Sequence, residues 1–216
     1  MSDSQLLTAV TTEHFTLQGA KSQTMSESAA RASLYIVSVS STLVALGFIT
    51  QLSEIGDIFN VFALTVLPTL YVLGAVTFVR MVECSAEEFR YGMAINRIRA
   101  YYKEIAGDRA DIFLLSAHDD KAGVLASTSL PTGGRIPFFA FSSAIAVINS
   151  VIGGAAVAVA LGALADASLG VAAGIGGAVA LISAAGWISF ANRLFDARAS
   201  EVEPLYPSQG EVRDKG

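Results

Sequence analysis

An almost unbroken apolar stretch, residues 138–191, constrains the fold of this chain more than any other feature. It is about 54 residues long, and Asp166 is the only charged residue in it. The hydrocarbon core of a bilayer, roughly 30 Å thick, is crossed by ~20 helical residues, and a globular domain offers no apolar layer of that depth. The stretch therefore predicts two membrane-spanning helices, residues 138–164 and 169–191, separated by a tight turn.

A second apolar pair lies upstream, at residues 33–52 and 58–79, around the short polar turn 53–57. Two helices joined by so few residues must lie antiparallel. The composition agrees, because 53% hydrophobic residues, 15% charged residues and a mean hydropathy of +0.55 fall outside the usual balance of globular proteins. The sequence predicts an all-α, polytopic membrane protein with four transmembrane helices arranged as two antiparallel hairpins.

A charged segment, residues 80–136, separates the two hairpins. Between Arg80 and Arg135 it carries eight basic and eight acidic side chains, a mixture typical of a water-facing region. Residues 80–106 contain no proline and one glycine, and their apolar residues recur at three- and four-residue spacing. We therefore expect the second span to continue into a helical cytoplasmic segment.

Both ends of the chain are polar. Residues 1–32 are predicted to be a cytoplasmic tail, surface-lying or mobile at first, with a capping box at Thr24 and Glu27 that begins the first helix. Residues 192–216 are predicted to be a second cytoplasmic tail. Because it contains Pro204, Pro207 and mixed charges, we expect a short amphipathic end followed by disorder.

The positive charges predict an orientation. All 14 Lys and Arg residues lie before the first span, within residues 80–136 or after the fourth span, and the two short turns contain none. By the positive-inside rule, both termini and the middle segment face the cytoplasm. We expect a multi-pass protein of the plasma (inner) membrane, and the Ala- and Gly-rich composition with ten Arg against four Lys favours a bacterial source.

Small residues at four-residue spacing predict close helix packing in the second hairpin. Helices in lipid gain no hydrophobic energy from meeting, so small side chains that let two backbones approach are favoured at their contacts. The predicted contact residues are Ser150, Gly154, Ala158 and Gly162 in the third span and Gly170, Gly174 and Ala178 in the fourth.

A proline interrupts the second span at Pro68. Because proline lacks an N–H and crowds the carbonyl four residues earlier, it leaves the oxygen of Leu64 without its helical partner and predicts a kink. Thr65 and Thr69 are close enough in sequence to satisfy that oxygen.

The first span carries hydroxyl groups but no charge. Its candidate pore-lining residues are Ser38, Ser41 and Thr42. Such hydroxyls either donate to the carbonyl four residues earlier in their own helix or, in an oligomer, face a water-filled axis. The first behaviour is the commoner one.

The middle segment carries the predicted assembly surface. Tyr91, Ile98, Tyr102 and Ile105 need burial that the membrane spans do not obviously supply. We expect this surface to engage a second copy of the chain or a cytosolic protein, with membrane lipid as the other partner.

The sequence contains no arrangement typical of catalysis, metal binding or cofactor binding. None of the spans has an ionisable residue between its ends, which argues against an ion-coupled transporter. His118, Asp119 and Asp120 are adjacent and are expected to form a solvated loop rather than a metal site. The single cysteine, Cys84, is expected to be a reduced thiol, with palmitoylation as the alternative. The net charge of −5 argues against nucleic-acid binding.

Two functions are compatible with this pattern. The first is a non-enzymatic membrane module that is oligomeric or binds a partner through its cytoplasmic helix. The alternative is a homo-oligomeric pore or ion channel lined by the first span.

Overall fold

The structure, a computed structural model, describes residues 2–51, 56–127 and 140–208. Every regular element in these ranges is a helix, which confirms the all-α prediction. The elements are α1 (Asp3–Ile49), α2 (Gly56–Ala106), a 3₁₀ helix (Gly107–Ile112), α3 (Lys121–Ser127), α4 (Ala140–Ala165) and α5 (Leu169–Ala199). Four of them, α1, α2, α4 and α5, are long and apolar enough to cross a membrane.

α1 begins much earlier than the sequence predicted. It runs from Asp3, and the hydroxyl of Thr24 donates to the carbonyl of Ala20, 3.1 Å away, in the middle of the helix. The predicted capping box at Thr24 is therefore wrong. A Thr with Glu three residues later marks a helix start only where the chain before it is not helical. Here residues 3–23 contain no proline, and threonine hydroxyls donate back to their own turns, as Thr8 does to Ser4.

α2 is continuous for 51 residues, which confirms the predicted helix through residues 80–106. Pro68 lies inside it. The neighbouring threonines do not serve the freed carbonyl of Leu64, because Thr65 donates to Val61 and Thr69 donates to Thr65, each at 2.8 Å. The kink at Pro68 stays a prediction. The helix ends just before Gly107, whose φ of +53° lies in the left-handed region that glycine adopts without steric cost.

The contacts divide the chain into two compact units. The described parts of residues 1–27, 83–139 and 195–216 form one, which we call the polar unit, and those of residues 28–82 and 140–194 form the other, which we call the apolar unit. The polar unit thus contains both ends of the chain as well as the middle segment. The predicted end of the first span at Leu52 and the predicted start of the third at Phe138 lie outside the described residues.

The apolar unit is built from the apolar parts of α1, α2, α4 and α5. Tyr35, Phe78 and Ile145 are fully buried in it, and Phe78 meets Trp187 edge-on with ring centres 5.1 Å apart. Many of its large apolar side chains point outward, including Leu34 and Leu181. Such a surface suits a hydrocarbon environment rather than water.

The polar unit has a small core of its own. Phe89 of α2 meets Phe195 of α5 with ring centres 5.3 Å apart, and both rings are buried. Val124 of α3 lies against Gly92 of α2, where a Cβ would come within 2.9 Å of a Val124 methyl group. The absence of a side chain at Gly92 lets α3 pack directly on α2.

Candidate functional site

A hydrogen-bonded network in the polar unit holds the chain after α2 against that helix. The amide of Asn96 donates to the carbonyl of His118 at 2.8 Å. The guanidinium of Arg99 donates to the carbonyl of Ser116 at 2.7 Å and to the side-chain oxygen of Asn96 at 2.6 Å. These bonds satisfy backbone carbonyls that no regular element pairs, so the connection between α2 and α3 has a defined position.

Asp119 joins the network to the C-terminal segment. Its carboxylate accepts from Nε of Arg97 at 2.7 Å and from the backbone N–H groups of Leu205 and Tyr206 at 3.0 and 2.7 Å. The residue is 0% exposed. The expectation of a solvated loop is therefore wrong at this position, because a buried carboxylate with three donors is a structural anchor.

Asp120 anchors the same segment two residues further on. It is buried and accepts hydrogen bonds from the backbone N–H and hydroxyl of Ser208 and from the N–H of Gly123. Burial opposes the charged form, but the hydrogen bonds from Ser208 and Gly123 outweigh it and lower the pKa of Asp120. Through Ser208, the C-terminal segment is therefore fixed to the polar unit, and the disorder expected after a short amphipathic end does not begin before Ser208.

The described residues form neither a metal site nor an accessible thiol. They contain no group of three His, Cys, Asp or Glu side chains placed to hold a metal ion. Cys84 is buried in the polar unit, so its thiol is not accessible for acylation. The plain-thiol interpretation fits this burial better than palmitoylation does.

The predicted assembly residues do not form one uniform surface. Tyr91 and Ile98 line a cleft of about 510 Å³ that Leu17 of α1 and Val202 of the C-terminal segment also border. Tyr102 is half-buried by the chain's own α1, since its hydroxyl donates to Thr11 at 3.4 Å. The ring of Tyr102 also lies near those of His14 and Phe113. The expected burial is therefore supplied in part by the N-terminal residues of α1.

The remaining assembly residue, Ile105, belongs to a group of exposed apolar side chains. This group, which we call the exposed apolar group, consists of Phe15, Ile105, Ile112 and Leu114, with exposures from 57% to 94%. One member, Phe15, meets the ring of His14, His14 meets Tyr102, and Tyr102 stacks on Phe113, the residue between Ile112 and Leu114. Only Ile105 of this group was identified from the sequence, since Phe15 was assigned to a tail and helical periodicity says nothing about the 3₁₀ helix and the loop after it.

The apolar unit contains a cluster of polar side chains from its four long helices. Tyr35 of α1 donates to the side-chain oxygen of Asn149 of α4 at 3.1 Å, and Asn149 is 0% exposed. A Cβ on Gly74 of α2 would meet Tyr35 and the Asn149 amide, so a glycine is needed there. The hydroxyl of Ser183 of α5 lies 3.2 Å from that of Ser150 and 3.3 Å from that of Tyr71. Interhelical bonds of this kind hold helices together in an apolar medium.

Part of the small-residue stripe of α4 lies against α5, at Gly154 and Ala158. A Cβ on Gly176 would lie 2.5 Å from the carbonyl oxygen of Gly154 and 2.9 Å from the Cβ of Ala158. Ser150 of the same stripe is buried and donates to Ser183. Gly162, the last residue of the stripe, has no neighbour within 4 Å where its Cβ would be.

On α5 the contact uses a different face from the predicted one. The residues at the contact are Gly176, Ala180 and Ser183, and Ala172, one turn before Gly176, is also buried. Gly170, Gly174 and Ala178 are exposed, and a Cβ added to either of the two glycines would have no neighbour within 4 Å. Because Gly or Ala occupies most positions from 170 to 180, two faces of α5 carry the same spacing, and only the tertiary contacts distinguish them.

Of the three hydroxyls proposed to line a pore, that of Ser38 forms a hydrogen bond within its own helix. Ser38 donates to the carbonyl of Leu34 at 2.8 Å, which is the local bond described for serine in helices. Ser41 is exposed and Thr42 is half-buried.

The described residues are all-helical and include four helices long and apolar enough to cross a membrane, as expected of a multi-pass membrane protein. No known family model matches the chain, and neither a curated protein nor a solved structure is significantly similar to it.

Proposed function

We propose that this protein is a non-enzymatic membrane module that assembles with a second copy of itself or with a cytosolic protein through its polar unit. In this proposal the four spans form two antiparallel hairpins in the inner membrane, and both termini and the polar unit lie in the cytoplasm. The protein anchors an interaction surface at the membrane and catalyses no reaction.

The exposed apolar group carries the proposal. In the apolar unit, outward-facing Leu and Val side chains are covered by lipid, but the polar unit has the charge mixture of a water-facing region. There, large side chains such as Leu114 and Ile112 remain exposed. Burying one such side chain contributes about 1.5–3 kcal/mol, so their covering by a partner would favour association.

Two observations support the proposed topology. The absence of Lys and Arg from the two short turns favours turns outside and polar unit inside. α4 and α5 run in opposite directions. Ser150 contacts Ser183, whereas Ala158, later in α4, approaches Gly176, which is earlier in α5. This order is that of an antiparallel hairpin, and the short connection between the two helices requires the same arrangement.

The pore alternative has weaker support. A pore lined by the first span needs its hydroxyls to face a shared aqueous axis. The bond from Ser38 to its own helix backbone favours the module instead, since the hydroxyl proton already has a partner there and needs no aqueous axis.

Replacing Ile105 and Leu114 together by Glu tests the assembly surface. We expect the wild-type protein in native lipid discs to be larger than a monomer and the double variant to be monomeric, measured by light scattering. These two positions are better probes than Ile98→Glu with Tyr102→Glu, because Ile98 and Tyr102 also pack within the chain. The matched control is Thr12→Glu with Thr16→Glu, which adds two carboxylates at exposed positions of the same unit.

Photo-crosslinking in whole cells tests whether the partner is a cytosolic protein rather than a second copy of the chain. A crosslinking amino acid at Leu114 should give a discrete larger species, and the same amino acid at Thr12 should not. No product at Leu114, combined with a monomer in lipid discs, would contradict the proposal in both forms. Ion flux from liposomes that contain the purified protein would instead support the pore.

A further inference from the structure

A second cleft in the polar unit is lined by two cationic side chains, four neutral polar ones and several apolar ones, among them Met25, Ile95 and Val124. Its volume is about 270 Å³, and α1, α2, α3 and the loop before α3 border it. The polar side chains that line it are Gln18, Lys21, Ser22, Asn96, Arg99 and Ser127. None of the lining residues is acidic.

Arg99 lacks a counter-ion within the part of the chain that the structure describes. Its guanidinium is half-buried, and its hydrogen bonds go to the neutral oxygens of Asn96 and Ser116. Burial lowers the pKa of Arg99, but a guanidinium does not release its proton in a protein. Partly desolvated charges are normally paired with an opposite charge, so an anion is the partner that this geometry lacks.

Lys21 places a second positive charge at the same cleft. Glu88 lies close enough to Lys21 for their charges to interact, and burial raises the pKa of Glu88 although Lys21 acts to lower it. Glu88 does not line the cleft. The cleft therefore presents an ammonium group from α1 and a guanidinium group from α2, with the hydroxyls of Ser22 and Ser127 as further polar groups.

We propose that this cleft binds a phosphate monoester through Lys21 and Arg99. A phosphate monoester carries a charge of about −1.5 to −2 at pH 7, which matches the two cations. Arginine and lysine both bind phosphate, and arginine offers two parallel N–H donors for it. The volume is below the ~300–1,000 Å³ of sites for drug-sized ligands, so the cleft accommodates a phosphate group with a small substituent rather than a whole nucleotide.

This ligand chemistry has two sources, a lipid headgroup and a soluble phosphate ester. The full-length protein is therefore measured in lipid discs in two arms at constant ionic strength. In the soluble arm, glycerol 3-phosphate is titrated into discs of phosphatidylcholine. In the lipid arm, phosphatidic acid replaces part of the phosphatidylcholine. Saturable stabilisation against thermal unfolding in the first arm identifies a soluble ligand, and stabilisation only in the second identifies a lipid.

His14 gives a second readout that reports on the cleft itself. Its pKa is lowered by burial and by the charge of Arg99, and its ring lies 2.8 Å from the side-chain nitrogen of Gln18, a lining residue. An anion beside Arg99 offsets that charge, so the pKa of His14 should rise on binding. The chain has two histidines, which makes His118 an internal reference in an NMR titration.

The variants are Lys21→Gln and Arg99→Gln, with Arg109→Gln as the control. Arg109 is an exposed arginine outside the cleft. We expect at least tenfold weaker binding for either cleft variant and unchanged binding for Arg109→Gln. Lys21→Gln remains decisive if Arg99→Gln disturbs folding, since the hydrogen bonds of Arg99 to Asn96 and Ser116 stay intact in it. No saturable binding in either arm, or equal binding by wild type and Lys21→Gln, would overturn the proposal.

Discussion

At the scale of single residues, two adjacent carboxylates, Asp119 and Asp120, are buried although they lie in a polar stretch of the chain. Asp119 is adjacent to Asp120 in a stretch that is polar from His118 to Lys121, so local composition predicts a solvated loop. Each carboxylate instead accepts hydrogen bonds from a segment 86 to 88 residues further along the chain. A local sequence pattern contains no information about a partner at such a distance. The burial of each carboxylate depends on that partner and therefore cannot be predicted from the pattern.

Replacing Asp120 by Asn should release the C-terminal segment from the polar unit. The substitution keeps the size of the side chain but removes the charge that Ser208 and Gly123 bind, and hydrogen bonds to charged groups contribute about 1.5–3 kcal/mol each. We expect amide hydrogen exchange at Leu205, Tyr206 and Ser208 to become at least tenfold faster. Asp108→Asn, at an exposed position of the 3₁₀ helix, is the control.

The same bonds predict a pH dependence. Because the pKa of Asp120 is lowered in the folded protein, the stabilisation is complete above its ordinary value of 3.8 and is lost as the pH falls through the folded-state pKa. Wild type and Asp120→Asn should therefore differ in protection at pH 7 and converge in acid. An identical difference at pH 7 and below the folded-state pKa would mean that the carboxylate charge is not what holds the segment.

At the scale of elements, the contact between α4 and α5 depends on which face of α5 is used. Gly154 and Ala158 of α4 pack against Gly176 and Ala180 of α5. The predicted face of α5 carries Gly174 instead, two residues away and therefore on a different side of the helix. Spacing identifies the type of contact in this case but not its phase, because small residues occupy both faces.

Gly176 and Gly174 of α5 are a matched pair of positions for testing which face of α5 packs on α4. Gly176→Leu should force α4 and α5 apart and destabilise the apolar unit by ~1–3 kcal/mol, since a side chain there meets the backbone of Gly154. Gly174→Leu should have little effect, because nothing lies within 4 Å of a Cβ there. Unfolding in detergent measures both. Equal destabilisation by the two variants would contradict a contact made through Gly176 alone, and stronger destabilisation by Gly174→Leu would mean that α5 packs on its other face.

At the scale of the whole molecule, the chain divides by polarity into two compact units. The polar unit collects three stretches that are far apart in sequence, and the N-terminal part of α1 belongs to it rather than to a mobile tail. For a multi-pass protein this division has a direct consequence. If all three stretches belong to one folded unit, they must lie on the same side of the membrane, as the positive charges predict.

Labelling of single cysteines in intact cells tests this topology. In a Cys84→Ser background, cysteines at Ser53 and Ala167 should react with an impermeant reagent added outside, and a cysteine at Ser116 should not. Ser53 belongs to the predicted turn 53–57 and Ala167 to the connection between α4 and α5, neither of which contains Lys or Arg, whereas Ser116 lies in the polar unit. Reaction at Ser116 with protection of both turns would invert the proposed orientation.

The four apolar helices and the continuation of α2 beyond its span could be predicted from the residues alone. Helix length and hydropathy are sums over neighbouring residues, so a window of ~20 residues contains the whole signal. The face of α5 that packs, the burial of Asp119 and the bond between Tyr35 and Asn149 depend instead on tertiary contacts. The residues in that last bond lie 114 positions apart. Such contacts depend on two distant segments at once, and the energy that selects them appears only when both are in place.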